Sequence, residues 1–598
     1  MTSEYGTTTL SSTERTSPYL RKKNRNDDQP HPIRIRRVAT AMAWVALGCT
    51  LLLGSSNWIR KGSMLTTEHL TSKTHTIPFD KAQYPLEGHS KHKDKHKHHH
   101  EKDDDDDDDD DDHDDDGIHH HHNKTTWKLP EPQRRCDWVI PLMTEADIDS
   151  DDDGLRAKYL AQSIDANVFY RATARLFWLD VVPGKWWGNV SFEDIGIARP
   201  THADGTPLER KATWTWVTGD QHLSNFGAWR NRHGDVVFSV NDFDEAALFD
   251  FHIDVLRVAV SICSHAFTNG LPKHKIKKAL HAFTETYIDT VASYIGNENA
   301  LLYELTPETA TGKLQEFLRG VNDDNTPYAQ LEQFTEVDAA GVRRFIMSKS
   351  TKLYPVSPEV EGKIRDAISF DRYGATMTKI GWHVHDWDDD YFQVLDIAAR
   401  IGSGVGSYGV DRFYVLLKGT DALIKADNGY DGNSVILDVK YEPHPAVHRV
   451  LNPTDAAWYN VRFANSAARA VEAQRRLTSY TDPFTGWIIL DDQPFLIRQR
   501  SPWKDSPDLN ELEDVDEFVH FIQQVGVATA TSHVRGSIAN ESPLQFKKII
   551  NKVLNNHWNR KKWSKAVAQF AFGYRGQVML DFECFQDFVN TTYGNSTA

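Results

Sequence analysis

Cysteine is scarce: there are four, Cys49, Cys136, Cys263 and Cys584, in 598 residues. None sits in a CxxC pair or at another zinc-ligand spacing, and the four suggest no disulfide framework. Basic charge is also in deficit, with 68 Lys and Arg against 85 Asp and Glu. A nucleic-acid-binding surface should be basic, so no nucleic-acid partner is expected. The acidity is local, because thirteen aspartates fall within Asp103–Asp116 and the remainder is only mildly acidic. Internal repeats are absent. Against these deficits stand 39% hydrophobic residues and seventeen Trp, enough for a sizeable core. The length suggests two to four domains.

One long uncharged run exists, Val38–Ile59 (VATAMAWVALGCTLLLGSSNWI). Its length suits a bilayer-spanning helix. A signal h-region is shorter and lies nearer the first residue, and a buried soluble helix would need a partner domain that neither flank offers. Eight Lys and Arg precede the run, so its N-terminal side should face the cytosol. The expectation is a single-pass type II membrane protein, with the membrane as a partner and the bulk of the chain lumenal or extracellular. Five N-x-S/T triplets beyond the run, at Asn123, Asn189, Asn540, Asn590 and Asn595, permit glycosylation there. Residues 1–37 read as a disordered cytosolic tail and 60–126 as a disordered linker. The linker carries KHKDKHKHHHEK, the aspartate run and HHHH. Such a tract cannot bury apolar surface, and a solvated spacer is preferred to a metal store because no fixed ligand geometry is implied.

Globular composition begins near Trp127. Within it, Val217–Glu245 (VTGDQHLSNFGAWRNRHGDVVFSVNDFDE) sets two polar clusters on either side of a turn and the strand-like run Val236–Val240. Asp220 is placed to accept a proton from an attacking hydroxyl, and Asn225 with Asp242 to hold a metal on nucleotide phosphates; Asp244 joins the metal set. The bland alternative is turn chemistry, which Asp, Asn, Ser and Gly favour anyway. Behind this stretch, Val255, Leu256, Val258, Ala259, Ile262 and Cys263 form one helical face that Gly270 and Pro272 end.

A second stretch, Ala398–Glu442, contains Gly404, Gly406 and Gly409 as GxGxxG, a strand at Phe413–Leu417 and another at Val435–Lys440. Two strands around a glycine turn let backbone N–H groups approach phosphates, with Lys440 adding charge. The alternative is a hairpin with a solvent-facing lysine. Glu472, in a helix over Asp455–Tyr480, is a candidate partner for Lys440 or a surface partner for Arg475 or Arg476. Trp487–Leu490 and Pro494–Arg500 pair around Asp491-Asp492. Arg498, Arg500 and Lys504 form a basic cluster suited to a phosphate or acidic substrate, and His533 and Arg535 follow in SHVRGS.

The blocks NVFYRATARLFWLD, TGDQHLSNFG, NDFDEAALFDFHIDVLR, ARIGSGVGSYGVDRFYVLLKG, ILDVKYE, FLIRQRSPWK, SHVRGS and YRGQVMLDF resemble, in order, the bacterial domain of unknown function family 2252, from about Lys158 to Asp587. GDQHLSN followed by NDFDEA and HIDVLR is further similar to the aminoglycoside and choline phosphotransferase branch of kinase-like folds. That similarity implies Asp220 as base or substrate orienter and Asn225 with Asp242 as magnesium ligands. It implies Asp254 as the opener of a structural helix, Gly404, Gly406 and Gly409 over the phosphates, Lys440 on them and Glu472 orienting Lys440. The chain departs from the pattern at Thr218, where a His is usual, and at Tyr441, which splits Lys440 from Glu442. The glycine loop also follows the catalytic Asp instead of preceding it, so the resemblance implies a circular permutation. The expected fold is therefore α+β, kinase-like and two-lobed, with 127–390 carrying the catalytic loop, 391–505 the glycine loop and lysine, and 506–598 a helical end. The expected function is an ATP- and Mg²⁺- (or Mn²⁺-) dependent phosphotransferase of unknown acceptor. Two alternatives stand beside it: a non-catalytic nucleotide-binding module, and a metal-dependent hydrolase built on Asp220, His222, Asp242 and Asp244.

Overall fold

A computed structural model describes residues 132–145, 152–182, 191–202, 204–378, 390–402, 410–419, 434–538 and 546–594. Helices and strands alternate along it in a mixed α/β chain with 54% helix and 15% strand. The apolar face read behind Val217–Glu245 becomes the helix His252–Thr268, buried on nearly every side. Around it pack Lys273–Ser293, Val515–Ile538 and the 37-residue closing helix His557–Tyr593. Their shared core includes Trp178, Trp216 and Trp563 and runs in sequence from Val139 to Val589. Both ends of the described chain thus fold into one body.

The ends are also tied directly. Arg135, on the helix Pro132–Thr144, is fully buried and donates two hydrogen bonds to Asp180, at 2.7 and 2.6 Å, and two at 2.8 Å to Asp581. Next to it Cys136 is joined to Cys584 in a disulfide spanning 448 positions. This corrects the expectation of no disulfide framework. Spacing along the chain is uninformative when the partners meet only through two helices at opposite ends. Cys263 is a buried free thiol.

The largest sheet has six strands, all antiparallel, in the order Gly486–Leu490, Gln493–Gln499, Val435–Tyr441, Arg412–Leu417, Val394–Arg400, Leu353–Tyr354. Directly opposed residues share a face. One face therefore carries Lys440, Asp438, Arg412 and Arg498, with Lys440 opposite Arg412 and Asp438 opposite Arg498. The other face, with Leu437, Val439, Val415 and Ile497, closes on Ile364, Ile368 and Tyr373 as a second core. Two short ladders lie in the helical body, Trp214–Val217 with Ala247–Asp250 and Phe226–Arg230 with Val236–Val240.

The kinase-like, two-lobed α+β expectation is corrected by this architecture. The main core joins helices from before and after the sheet, and no solved structure matches the chain. The transmembrane part of the same expectation finds no helix: among the described residues none is long and apolar enough to cross a membrane. Val38–Ile59 and the whole of 1–131 lie outside the described residues.

Candidate functional site

The site is assembled at the ends of the two short ladders. Val217 closes its strand, and the chain turns through Thr218 and Gly219 into Asp220. Asp254, fully buried in the first turn of the helix His252–Thr268, fixes that turn. Its carboxylate accepts from Thr218 N at 2.7 Å, Thr218 Oγ1 at 3.0 Å and Gly219 N at 2.9 Å. Gly219 has φ +73°, and a Cβ there would stand 2.1 Å from the Glu245 carbonyl oxygen. Only glycine lets the two polar clusters approach this closely. They are also joined through Asn241 N, which donates to Asn225 O at 3.0 Å.

Asp220 is held from behind by Arg257, three residues after Asp254 in the same helix. Arg257 is fully buried, donates through Nε to Asp220 Oδ1 and through Nη2 to Tyr170 O at 2.8 Å, and stacks on the Tyr170 ring at 4.3 Å. Burial drives the Asp220 carboxyl up. Arg257 opposes the rise, Glu245 and Asp242 reinforce it, and the result is about 7. A base poised near neutrality suits proton transfer from a hydroxyl.

Asp220, His222, Asn225, Asp242, Asp244 and Lys440 line one cleft of about 230 Å³. Lys440 reaches across 196 positions to pair with Asp244, and its side chain is 8% exposed. Burial pushes Asp242 up, and the neighbouring Asp244 adds to that. Asp244 feels the same burial, but the Lys440 ammonium outweighs it and holds it down at about 2. Lys440, Arg498 and Lys504 oppose the rise at Asp242.

The donors fit a hard divalent cation. Asn225 commits its amide nitrogen to the Asp220 carbonyl at 2.8 Å, leaving its amide oxygen as a ligand beside the carboxylates of Asp242 and Asp244. All three are oxygen donors, which magnesium and manganese favour. Among the described residues no group of three or more His, Cys, Asp or Glu has metal-holding geometry. His222 Nε2 lies 3.8 Å from Asp220 Oδ2, and burial followed by Arg257 and Arg171 keeps its ring neutral.

Other named residues are placed elsewhere. Glu472 pairs with Arg476 at 2.6 Å, the surface option, and makes no ion pair with Lys440. The buried acid near Lys440 is Glu442, bound to Arg469 at 3.0 Å. Arg469, in the helix Ser466–Leu477, also donates to the carbonyls of Asp244 (2.6 Å), Phe243 (3.4 Å) and Ala246, clasping the whole 243–246 loop. Gly404, Gly406 and Gly409 lie outside the described residues. Arg498 donates to Asn241 O at 3.0 Å, on the sheet face that meets the site. Lys504 is exposed, and the neighbouring Arg498 charge above all lowers its ammonium, to about 7. Arg500 donates to the adjacent Ser501 carbonyl. His533 is structural, bridging Tyr287 OH at 2.9 Å and Asp254 at 3.3 Å. Arg535 is buried and binds the carbonyls of Ala300, Leu477 and Tyr303.

Arg257, Glu442, Arg469 and Gly219 are the site residues that sequence reasoning did not assign. A signal existed for Arg257, an arginine inside an otherwise apolar helix in HIDVLR. For Glu442 the signal was its position two residues after Lys440 on the same strand.

The fold and cleft therefore define a mixed α/β protein with a buried acid-and-lysine site. The chain belongs to the DUF2252 family, described as an uncharacterized protein conserved in bacteria, whose model matches residues 151–588. No curated protein and no solved structure matches it, so no kinase-like relative accompanies the family match.

Proposed function

We propose that the chain is an ATP- and divalent-metal-dependent phosphotransferase acting on a hydroxyl acceptor. The observation that carries this reading is the pairing of Lys440 with Asp244 in the cleft that also holds Asp220, Asn225 and Asp242. A base, a metal-binding acid set and a phosphate-binding lysine are the parts phosphoryl transfer needs. Asp220 takes the acceptor's hydroxyl proton, the acceptor oxygen bonds to the γ-phosphorus, and the bond to the β–γ bridging oxygen breaks. ADP leaves with that electron pair, and Asp220 later returns its proton to solvent. Asn225, Asp242 and Asp244 would hold the metal, which supplies charge neutralisation on the phosphates. Lys440 would contact the same phosphates. Arg257 keeps the base aimed. The Cys136–Cys584 disulfide supports an oxidising compartment, lumenal or extracellular.

The test is a thermal shift of the full chain with ATP and Mg²⁺ or Mn²⁺, comparing wild type with Asp242→Ala. A ligand that binds only the native state raises stability, so a shift in wild type that is lost in Asp242→Ala is expected. No shift in wild type would sink the nucleotide reading. A shift without ADP release for any acceptor would favour the non-catalytic alternative.

A further inference from the structure

The cleft has a second wall that the phosphotransfer chemistry does not use. Lys158 and Gln162, from the helix Asp152–Gln162, Arg171, at the end of Ala166–Arg171, and Arg175, in Ala174–Val181, line the same cavity as Asp220. Three of these four are cationic. Lys440, which pairs with Asp244, comes instead from the six-stranded sheet.

Arg171 is the informative member. Its Nε is shielded from solvent and has no hydrogen-bond partner, and among the described residues no carboxylate lies within ion-pair distance of its guanidinium. A buried N–H left without an acceptor is costly. The position is not incidental, because the preceding residue, Tyr170, is locked to the machinery. Tyr170 OH donates to Arg257 O at 3.1 Å, and Tyr170 O accepts from Arg257, the residue that holds Asp220. Arg175 pairs with Glu145 at 3.8 Å and donates to Leu142 O at 3.4 Å. A planar guanidinium matches the paired oxygens of phosphate or carboxylate.

We infer that the acceptor carries an anionic group of its own, a phosphate or carboxylate on a small hydroxyl compound, seated on Arg171 with Lys158 and Arg175 beside Asp220. This rests on the phosphotransfer reading for the word acceptor. The anion site itself rests only on the wall. Binding there sets the substrate hydroxyl next to Asp220 and keeps the second anion away from the donor phosphates, which the Lys440 side receives.

The test titrates inorganic phosphate calorimetrically into the full chain saturated with a non-hydrolysable ATP analogue and Mg²⁺, so that the donor side is filled. Wild type, Arg171→Gln and Arg171→Lys are compared, with Lys158→Ala as a variant nearer the surface should the Arg171 changes fail to fold by circular dichroism. Phosphate is expected to bind wild type and to bind Arg171→Gln at least tenfold more weakly, with Arg171→Lys between them and Lys158→Ala weakened severalfold. Equal binding to wild type and the variants, or no phosphate binding to wild type, overturns the inference while analogue binding keeps the phosphotransfer reading standing. Failure of the analogue to bind, with phosphate still dependent on Arg171, overturns the phosphotransfer reading and leaves the anion site in place.

Discussion

Replacing Arg469 by methionine isolates the clasp on which the site depends. The guanidinium holds three carbonyls of the 243–246 loop and the Glu442 carboxylate, and both members of the ion pair are essentially buried, with side chains 2% and 0% exposed. Glu442 already has one oxygen, Oε2, without a partner, so losing Arg469 leaves a buried acid compensated only by the Lys440 charge, which Asp244 already engages. Breaking such a pair from one side costs about 3–5 kcal/mol. Replacing both charges removes the stranded acid, so Arg469→Met with Glu442→Gln should recover more than half of that loss. The pH dependence follows from Glu442, whose carboxyl burial holds well above the ordinary glutamate value. Below about pH 4.5 the acid is protonated in both folded and unfolded chains, and its protonation favours neither. As pH rises further the unfolded chain releases the proton while the folded chain keeps it. Stability therefore falls, by up to about 1.4 kcal/mol per pH unit, until the raised folded value is passed. Urea unfolding followed by tryptophan fluorescence at pH 5 and pH 8 reads both effects. Arg469→Met should be more destabilised at pH 8 than at pH 5, and the double variant should lose that difference. A single-variant loss under about 1 kcal/mol at pH 8, or a double variant no better than the single, would refute the clasp.

Gly219→Ala should cost roughly 3 kcal/mol in the same assay, from a left-handed residue made non-glycine and a Cβ driven toward the Glu245 carbonyl; a loss below about 0.5 kcal/mol would contradict the close approach of the two loops. Reducing the Cys136–Cys584 disulfide releases a constraint across 448 positions, worth about 6 kcal/mol in the chain-entropy account against observed values of up to about 5 kcal/mol. The urea midpoint should fall on reduction, and Cys584→Ser should already have the lowered midpoint and not respond to reductant. An unchanged midpoint in both would contradict the bond.

The parts of the site nearest one another in sequence were the legible ones. Asp220, Asn225, Asp242 and Asp244 share a hairpin, and the turn residues that mark its ends are themselves the polar clusters. The strand carrying Lys440 was legible from its apolar run, and the hairpin at Asp491-Asp492 from its turn, where both residues have positive φ. Helix boundaries were less so: Asp455–Tyr480 divides into Pro453–Arg462 and Ser466–Leu477, where Asn465 accepts from Ala468 N as a cap. The helical end read over 506–598 divides at Asn556, which caps His557–Tyr593. Glu472 was misassigned because an acid on a helix tells nothing of which face meets the sheet, and its i+4 arginine was the nearer partner. Cys136 with Cys584, and Arg257 beneath Asp220, depend on helices meeting in space, which no local pattern records.

The central claim is that Asp242 and Lys440 serve one metal–nucleotide complex. Calorimetric titration of ATP into the full chain, with and without Mg²⁺, into wild type, Asp242→Asn and Lys440→Met, tests it directly. Wild type should bind ATP at least tenfold more tightly with the metal. Asp242→Asn should lose that increment, and Lys440→Met should weaken binding whether or not metal is present. An Mg²⁺ increment that survives in Asp242→Asn, or ATP binding indifferent to Lys440→Met, would contradict the account.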